Sequence, residues 1–278
     1  MQIIKTVAEA RTWRAAKPRV ALVPTMGNLH AGHLSLVAAA RKIADHVVVS
    51  IFVNPLQFGP NEDLANYPRT FEADVAALEH AGVDAVFAPG VEEMYPAGGA
   101  SATTVHVAGI TEMLCGTSRP GHFDGVATVV TKLFNILTPD SALFGEKDYQ
   151  QLAVVRRMAA DLALPVVVEG GATVREADGL AYSSRNAYLT PDERRRAVAL
   201  SAAIDDVCAR LAAGQQDFRS LEARGWAQLS DAGFDPDYFD IRDTDLAPAT
   251  RQTTAFRVLA AGRLGRTRLI DNKGISRD

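Results

Sequence analysis

Two histidines three residues apart, His30 and His33, stand in the run Pro24-Thr25-Met26-Gly27-Asn28-Leu29-His30-Ala31-Gly32-His33. On a helical turn, side chains at that spacing face the same way. An apolar stretch, Arg19 to Val23, precedes the run and an Ala-rich stretch, Leu34 to Ala44, follows it, so the run sits where a strand passes into a helix. Gly27 and Gly32 permit close backbone approach, and the N–H groups and dipole of a helix start attract phosphate oxygens. Two imidazoles beside such a site would donate hydrogen bonds to charge developing on a phosphoryl oxygen, as transition-state stabilisers or as acids. Two other readings stay open. One histidine is a helix cap or a buried structural group, or the pair ligates zinc, although the run lacks the Glu of a His-Glu-x-x-His helix and no third ligand is nearby.

Three further segments carry usable groups. Phe52-Val53-Asn54-Pro55-Leu56-Gln57-Phe58 ends a β-branched run, and its two amides, Asn54 and Gln57, suit hydroxyls and carboxylates of a small polar substrate. In Phe144-Gly145-Glu146-Lys147-Asp148-Tyr149-Gln150-Gln151, Lys147 offers a compact charge for phosphate, Asp148 an acceptor for ribose hydroxyls, and Gln151 lies one helical turn beyond Lys147. Thr173 to Asn186 contains Ser183-Ser184-Arg185, two hydroxyls and a guanidinium able to hold two phosphate oxygens at once. Taken singly, each segment also fits a plain account: a strand-ending turn, an exposed charged turn with a capping Asp, and a Ser-rich linker with a solvated Arg.

The elements that must position these groups alternate. Strand patterns at Arg19–Val23, His46–Val53, Asp84–Phe87, Ala142–Phe144 and Val166–Glu169 are interleaved with helical patterns at Leu34–Ala44, Glu72–His80, Val126–Leu137 and Tyr149–Leu162. Alternation of this kind predicts an α/β fold, a parallel sheet covered by helices, with ligands at the carboxyl ends of the strands. After about Ala172 the pattern changes to Arg- and Ala-rich helices, Pro191–Leu211 and Ser220–Ala232, then strands at Tyr238–Arg242 and Phe256–Ile270, the last broken by Gly262 and Gly265 into a hairpin. The expected division is 1–173 for the sheet domain and 174–278 for a second, smaller α+β domain. The formal net charge of -4 argues against a nucleic-acid surface. No apolar run reaches the ~20 residues that span a bilayer. The start, Met1-Gln2-Ile3-Ile4-Lys5, lacks the pattern of a secretory signal, and the two cysteines, Cys115 and Cys208, read as free thiols, so the expected compartment is the cytoplasm.

In this order the segments resemble the pantothenate synthetase family. Thr25 to His33 is similar to that family's form of the His-x-Gly-His nucleotide motif, and Ser183-Ser184-Arg185-Asn186 to its second nucleotidyltransferase motif. Phe52 to Phe58, Tyr67-Pro68-Arg69-Thr70, Arg119-Pro120-Gly121-His122-Phe123, Gly145 to Gln151 and Leu269-Ile270-Asp271-Asn272-Lys273 extend the resemblance over essentially the whole chain. The resemblance implies a Rossmann-like N-terminal domain, a C-terminal lid domain, a homodimer, and an ATP- and Mg²⁺-dependent condensation of pantoate with β-alanine. Carried over by position, it implies that Met26, Gly27, Asn28, Leu29, His30, Ala31, Gly32 and His33 bind ATP, with His33 as proton donor and His30 beside it. Gly145, Glu146, Lys147 and Asp148 would bind ATP too, with Lys147 on phosphate and Asp148 on ribose, and Val174, Tyr182, Ser183, Ser184 and Arg185 would complete the nucleotide site. His30, His33, Lys147, Ser183, Ser184 and Arg185 are the implied catalytic groups. Gln57 and Gln151 would hold pantoate, Gln57 also lying near β-alanine. Metal ligands are not implied. Tyr182, where the family often has Leu or Met, and Ala172, where Pro is common, depart from the pattern. A nicotinamide dehydrogenase and a P-loop kinase are disfavoured, since no Gly-x-Gly-x-x-Gly and no Gly-Lys-Ser/Thr loop is present. The remaining rivals are another nucleotidyltransferase of the same fold and a non-catalytic nucleotide sensor built on it.

Overall fold

Near-continuous apolar runs such as Val47-Val48-Val49 suit strands covered on both faces, and parallel strands need such cover because their crossover connections lie on the faces. The computed structural model describes residues 1–60, 62–96 and 103–277. It divides into two units, Met1–Gly145 with Gln151–Ala172, and Glu146–Gln150 with Thr173–Asp278.

The first unit holds β1 (Gln2–Ile4), α1 (Val7–Ala15), β2 (Val20–Thr25), α2 (Ala31–Ile43), β3 (His46–Ile51), α3 (Phe71–His80), β4 (Ala85–Phe87), α4 (Val91–Met94), α5 (Cys115–Ser118), α6 (His122–Leu137), β5 (Ser141–Gly145), α7 (Tyr149–Asp161) and β6 (Val167–Gly171). The first two residues of α7 group with the second unit. Its six strands form one parallel sheet in the order β1-β4-β3-β2-β5-β6, a Rossmann-like arrangement. The chain leaves β2 for β3 and β4 on one side, then returns to β5 on the other. That reversal makes the carboxyl ends of β2 and β5 the topological switch point, where such sheets bind ligands. Ala21, Val23, Val47, Val49, Val86 and Leu143 of the sheet pack with Leu36, Val37 and Ala40 of α2 and Leu78 of α3.

Several boundaries differ from the sequence expectation. β2 runs through Pro24 to Thr25 instead of stopping before the proline. A proline removes a ladder hydrogen bond from a central strand, but β5 pairs with β2 only at Ala21 and Leu22, so the ladder is already one-sided at Pro24. β1, α4 and α5, of three or four residues each, carried no expectation. α1 was also unread, although Thr6 and Glu9 form a capping box at its start.

In the second unit, α8 (Pro191–Ala197), α9 (Ala199–Ala212) and α10 (Phe218–Asp231) accompany an antiparallel sheet, β7 (Asp235–Asp243), β8 (Ala255–Leu264) and β9 (Thr267–Ser276), in the order β7-β8-β9. Leu200, Ile204, Val207 and Leu211 recur at helical spacing on α9 and share a core with Leu221, Phe239, Ile241, Phe256 and Val258. The single helix expected over 191–211 is interrupted at Val198. The hairpin turns at Gly265, whereas Gly262 lies inside β8.

Candidate active site

Within the first unit, three loops emerge at the carboxyl ends of β2, β3 and β5. The loop after β2 makes a left-handed turn, with φ of 80° at Gly27 and 51° at Asn28. A Cβ at Gly27 would lie 3.0 Å from Asp74 Oδ2, so glycine is required there by both conformation and space. The backbone N–H groups of this loop are mostly satisfied from inside the protein. Gly27 N donates to Thr25 Oγ1 (3.2 Å), Asn28 N to Asp74 Oδ2 (2.9 Å) and Leu29 N to Asp74 Oδ1 (2.8 Å).

The two histidines then form a reciprocal cap on α2. Gly32 N donates to His30 Nδ1 (3.2 Å), and His30 N donates to His33 Nδ1 (3.4 Å). The helix-cap reading of His30 is therefore realised, and it does not exclude the chemical one. An Nδ1 that accepts an N–H carries no proton, so each neutral ring bears its hydrogen on Nε2. The ring centroids lie 4.1 Å apart. The sequence pointed to backbone amides as the phosphate cradle. The Gly27, Asn28, Leu29, His30 and Gly32 N–H groups are instead paired within the protein, so fewer backbone donors remain at this helix start than the sequence suggests.

The loop after β3 is fixed from several sides. Asn54 is 1% exposed; its Nδ2 donates to Gln57 Oε1 (3.1 Å) and Gly125 O (3.0 Å), and its Oδ1 accepts from Tyr95 Oη (2.8 Å). Burial raises the Tyr95 phenol well above its ordinary pKa, so it remains a donor at working pH. Gln57 Nε2 reaches Met26 Sδ at 3.0 Å, which brings the two loops together. Arg119 donates from Nε and a terminal nitrogen to the two oxygens of Glu62, both at 2.6 Å, and His122 Nδ1 donates to Gln57 O (2.8 Å). Burial alone would raise the Glu62 pKa, but the hydrogen bonds and charge of Arg119 hold it below the usual carboxylate value. Where α6 passes this loop, a Cβ on Gly125 would collide with Leu56 O, so two backbones meet with no side chain between them. Gln151 stands on α7 in the same unit.

Within the second unit, residues 146–148 form a tight turn that β9 grips by its carbonyls. Asn272 Nδ2 donates to Glu146 O (2.9 Å) and Lys147 O (2.8 Å), while Arg257 donates to Asn272 Oδ1 (3.1 Å) and stacks 3.8 Å from the Tyr149 ring centre. Lys147 Nζ lies 4.0 Å from Asp148 Oδ2. The 174–186 segment doubles back on itself: Tyr182 N donates to Val174 O (3.0 Å), and Arg175 and Ala181 form a β-bridge. The Tyr182 departure thus leaves the backbone pairing intact. Arg175 binds both oxygens of Asp271, at 2.6 and 3.0 Å. Ser183 Oγ accepts from Arg185 N (3.3 Å) and caps the 3-10 turn Ser184–Tyr188, and Asn186 Nδ2 bonds Glu176 and Ala181 to close the loop.

The predicted groups therefore fall into two sets: Met26 to His33, Gln57, Gly145 and Gln151 in the first unit, and Glu146, Lys147, Asp148, Val174 and Tyr182 to Arg185 in the second. Sequence reasoning missed Asp74, Glu62, Tyr95 and Arg257 as supports. Asp74 carried a signal, a charged residue four before Leu78 on the buried side of a helix. Cys115 and Cys208 are buried free thiols, as expected, and burial pushes the Cys208 thiol up to about 11.

The sequence matches the family described as pantoate-beta-alanine ligase over residues 2–274. A pantothenate synthetase of Idiomarina loihiensis is 55% identical, covering 98% of this chain and 97% of its own, and one of Azotobacter vinelandii is 55% identical with 99% of each chain covered. Among solved structures, pantothenate synthetase from Thermus thermophilus superposes with a TM-score of 0.92 at 50% identity, covering 98% of this chain and 99% of that one. The Francisella tularensis pantoate-beta-alanine ligase, solved with beta-gamma ATP and beta-alanine, gives 0.80 at 32% identity over 98% of this chain and 97% of its own. Matches of this depth reach from the histidine loop to the last strand, and on them the chain belongs to the pantoate–β-alanine ligase family.

Proposed function

We propose that this chain condenses pantoate with β-alanine, using ATP and releasing AMP and pyrophosphate, to make pantothenate, a coenzyme A precursor. The observation that carries the chemistry is the reciprocal histidine cap, which sets both Nε2–H groups as donors beside the switch point. A pantoate carboxylate oxygen attacks the α-phosphorus of ATP, and the bond to the pyrophosphate oxygen breaks. His33 and His30, with Lys147, Ser183, Ser184 and Arg185, stabilise the charge that spreads over the phosphoryl oxygens, His33 serving as the proton donor. The β-alanine amine then attacks the acyl carbonyl of pantoyl adenylate and AMP leaves. No side chain forms a covalent intermediate.

Met26 to His33, Gly145 to Asp148, Val174 and Tyr182 to Arg185 hold ATP in this reading. Gln57 and Gln151 hold pantoate, and Gln57 borders β-alanine. The Met26–Gln57 contact supports placing acid and nucleotide side by side. Mg²⁺ would lower the charge of the phosphates. Among the described residues no group of three or more His, Cys, Asp or Glu is placed to hold an ion. A homodimer and a cytoplasmic location belong to the same proposal; no helix among the described residues is long and apolar enough to cross a membrane.

The test is AMP release from ATP with pantoate and β-alanine, each omitted in turn. Positional isotope exchange in ATP should require pantoate and proceed without β-alanine. Exchange that needs β-alanine would remove the adenylate from the mechanism.

A further inference from the structure

Asp74 is 3% exposed, yet nothing in the reaction just described uses it. Its carboxylate faces three donors: Asn28 N at 2.9 Å, Leu29 N at 2.8 Å and Thr70 Oγ1 at 3.1 Å. Donors such as these stand where water would otherwise meet the buried carboxyl group. The two amides come from the left-handed turn that begins at Gly27, and the next residue is His30. Asp74 lies on α3, which is reached 45 and 46 residues later in the chain. It is thus the fixed point against which the turn is set.

We infer that Asp74 is a positioning residue for the adenylation step: by holding the amides of Asn28 and Leu29 it sets the entry of α2, and through it the direction of the His30 and His33 rings. The inference rests on the reading that those rings act on ATP. Its logic is geometric. The histidine cap closes only if His30 enters the helix at the right angle, and the two amides upstream decide that angle. Pulling them inward also turns them away from the ligand side of the loop, which leaves phosphate to the imidazoles. A misplacement of about 1 Å at reacting groups costs up to ~100-fold in rate.

Asp74→Asn keeps the shape but turns one acceptor oxygen into an NH2 group opposite a backbone N–H or the Thr70 hydroxyl. Single-turnover formation of pantoyl adenylate separates rate from the fraction of active enzyme. The expected result is a rate about 10- to 100-fold lower with an unchanged amplitude. A structural role alone would lower the amplitude. Because Asp74 acts through the rings, the same substitution made on a His33→Ala background should slow the reaction far less than on the wild type. A rate within about twofold of wild type, or an equal fold loss in both backgrounds, overturns the inference. If Asp74→Asn does not fold, Thr70→Val decides, since it removes one donor to the carboxylate and alters neither Asp74 nor any residue of the turn. It should slow adenylation roughly two- to fivefold at full amplitude, and an unchanged rate overturns the inference. If His33→Ala adenylates as fast as wild type, the role of that ring falls and this inference with it. If His33→Ala is crippled while Asp74→Asn is not, only the inference falls.

Discussion

The loop that carries His30 and His33 and the turn that carries Lys147 are both short, both begin where a strand of the parallel sheet ends, and are anchored in opposite senses. In the first, a buried carboxylate, Asp74, takes backbone N–H groups. In the second, a buried amide, Asn272, gives hydrogens to the carbonyls of Glu146 and Lys147. On the proposed function, the difference bears on what each segment offers to ATP. The first anchor occupies backbone donors and so gives the imidazoles proposed to act on ATP more weight, whereas the second occupies carbonyls next to the lysine proposed to meet phosphate. Each anchor is distant in sequence from the segment it holds, so functional geometry is set by parts of the chain that carry no chemistry of their own.

This contrast can be broken at several points. The largest effect is expected from His33→Ala, which should lower the adenylation rate about 100- to 1000-fold while remaining folded, with only the small drop in Tm that loss of one cap hydrogen bond brings. A variant that unfolds instead would make the ring a structural cap only. Gln57→Ala should raise the pantoate KM about 10- to 100-fold, from leaving polar substrate groups without partners, and direct titration should find ATP binding little changed. Asn272→Ala strips two half-buried carbonyls of their donor. It should raise the ATP KM up to about tenfold and lower the Tm modestly, the penalty of about 1–3 kcal/mol for a fully buried unmet group being an upper bound at these half-buried carbonyls. Arg185→Lys keeps charge but loses the two-pronged grip, and should slow the first half-reaction roughly fivefold.

The smallest effect concerns pH. The folded-state pKa of Glu62 lies below its ordinary value of 4.5. The stability it adds is therefore present above that value and disappears as pH falls through the lower folded pKa. Thermal melts of wild type and Glu62→Gln should differ at about pH 6 and converge well below 4.5. A gap that persists in acid would mean the residue acts through packing.

The sequence made the chemical groups legible and left most of their supports hidden. His30, His33, Lys147 and Arg185 announce themselves by type and spacing, and the strand-helix alternation placed three of the segments at the carboxyl ends of strands, where the structure has them. Pro24 misled the boundary of β2 because its cost depends on a neighbouring strand that local pattern does not reveal. Asn272 was visible only as part of a resembling tail. Its partners lie 126 and 125 residues earlier, a separation at which no periodicity survives. Glu62 was unreadable for the same reason, its guanidinium partner being 57 residues away. That several amides at the start of α2 are already paired within the protein was hidden too, because a helix start looks unsatisfied in sequence until the side chains that fill it are placed.

The meeting of Gly125 with Leu56 and Gln57 sets a limit on redesign. Substrate range in a small-molecule enzyme is usually widened by trimming side chains from the pocket wall. On the proposed role of Gln57, the wall behind it is already bare main chain against bare main chain, so no smaller residue exists to introduce. A version of this enzyme meant to accept a longer acid would have to gain its room elsewhere, for example at Met26, which meets the Gln57 amide directly and whose unbranched thioether tolerates replacement.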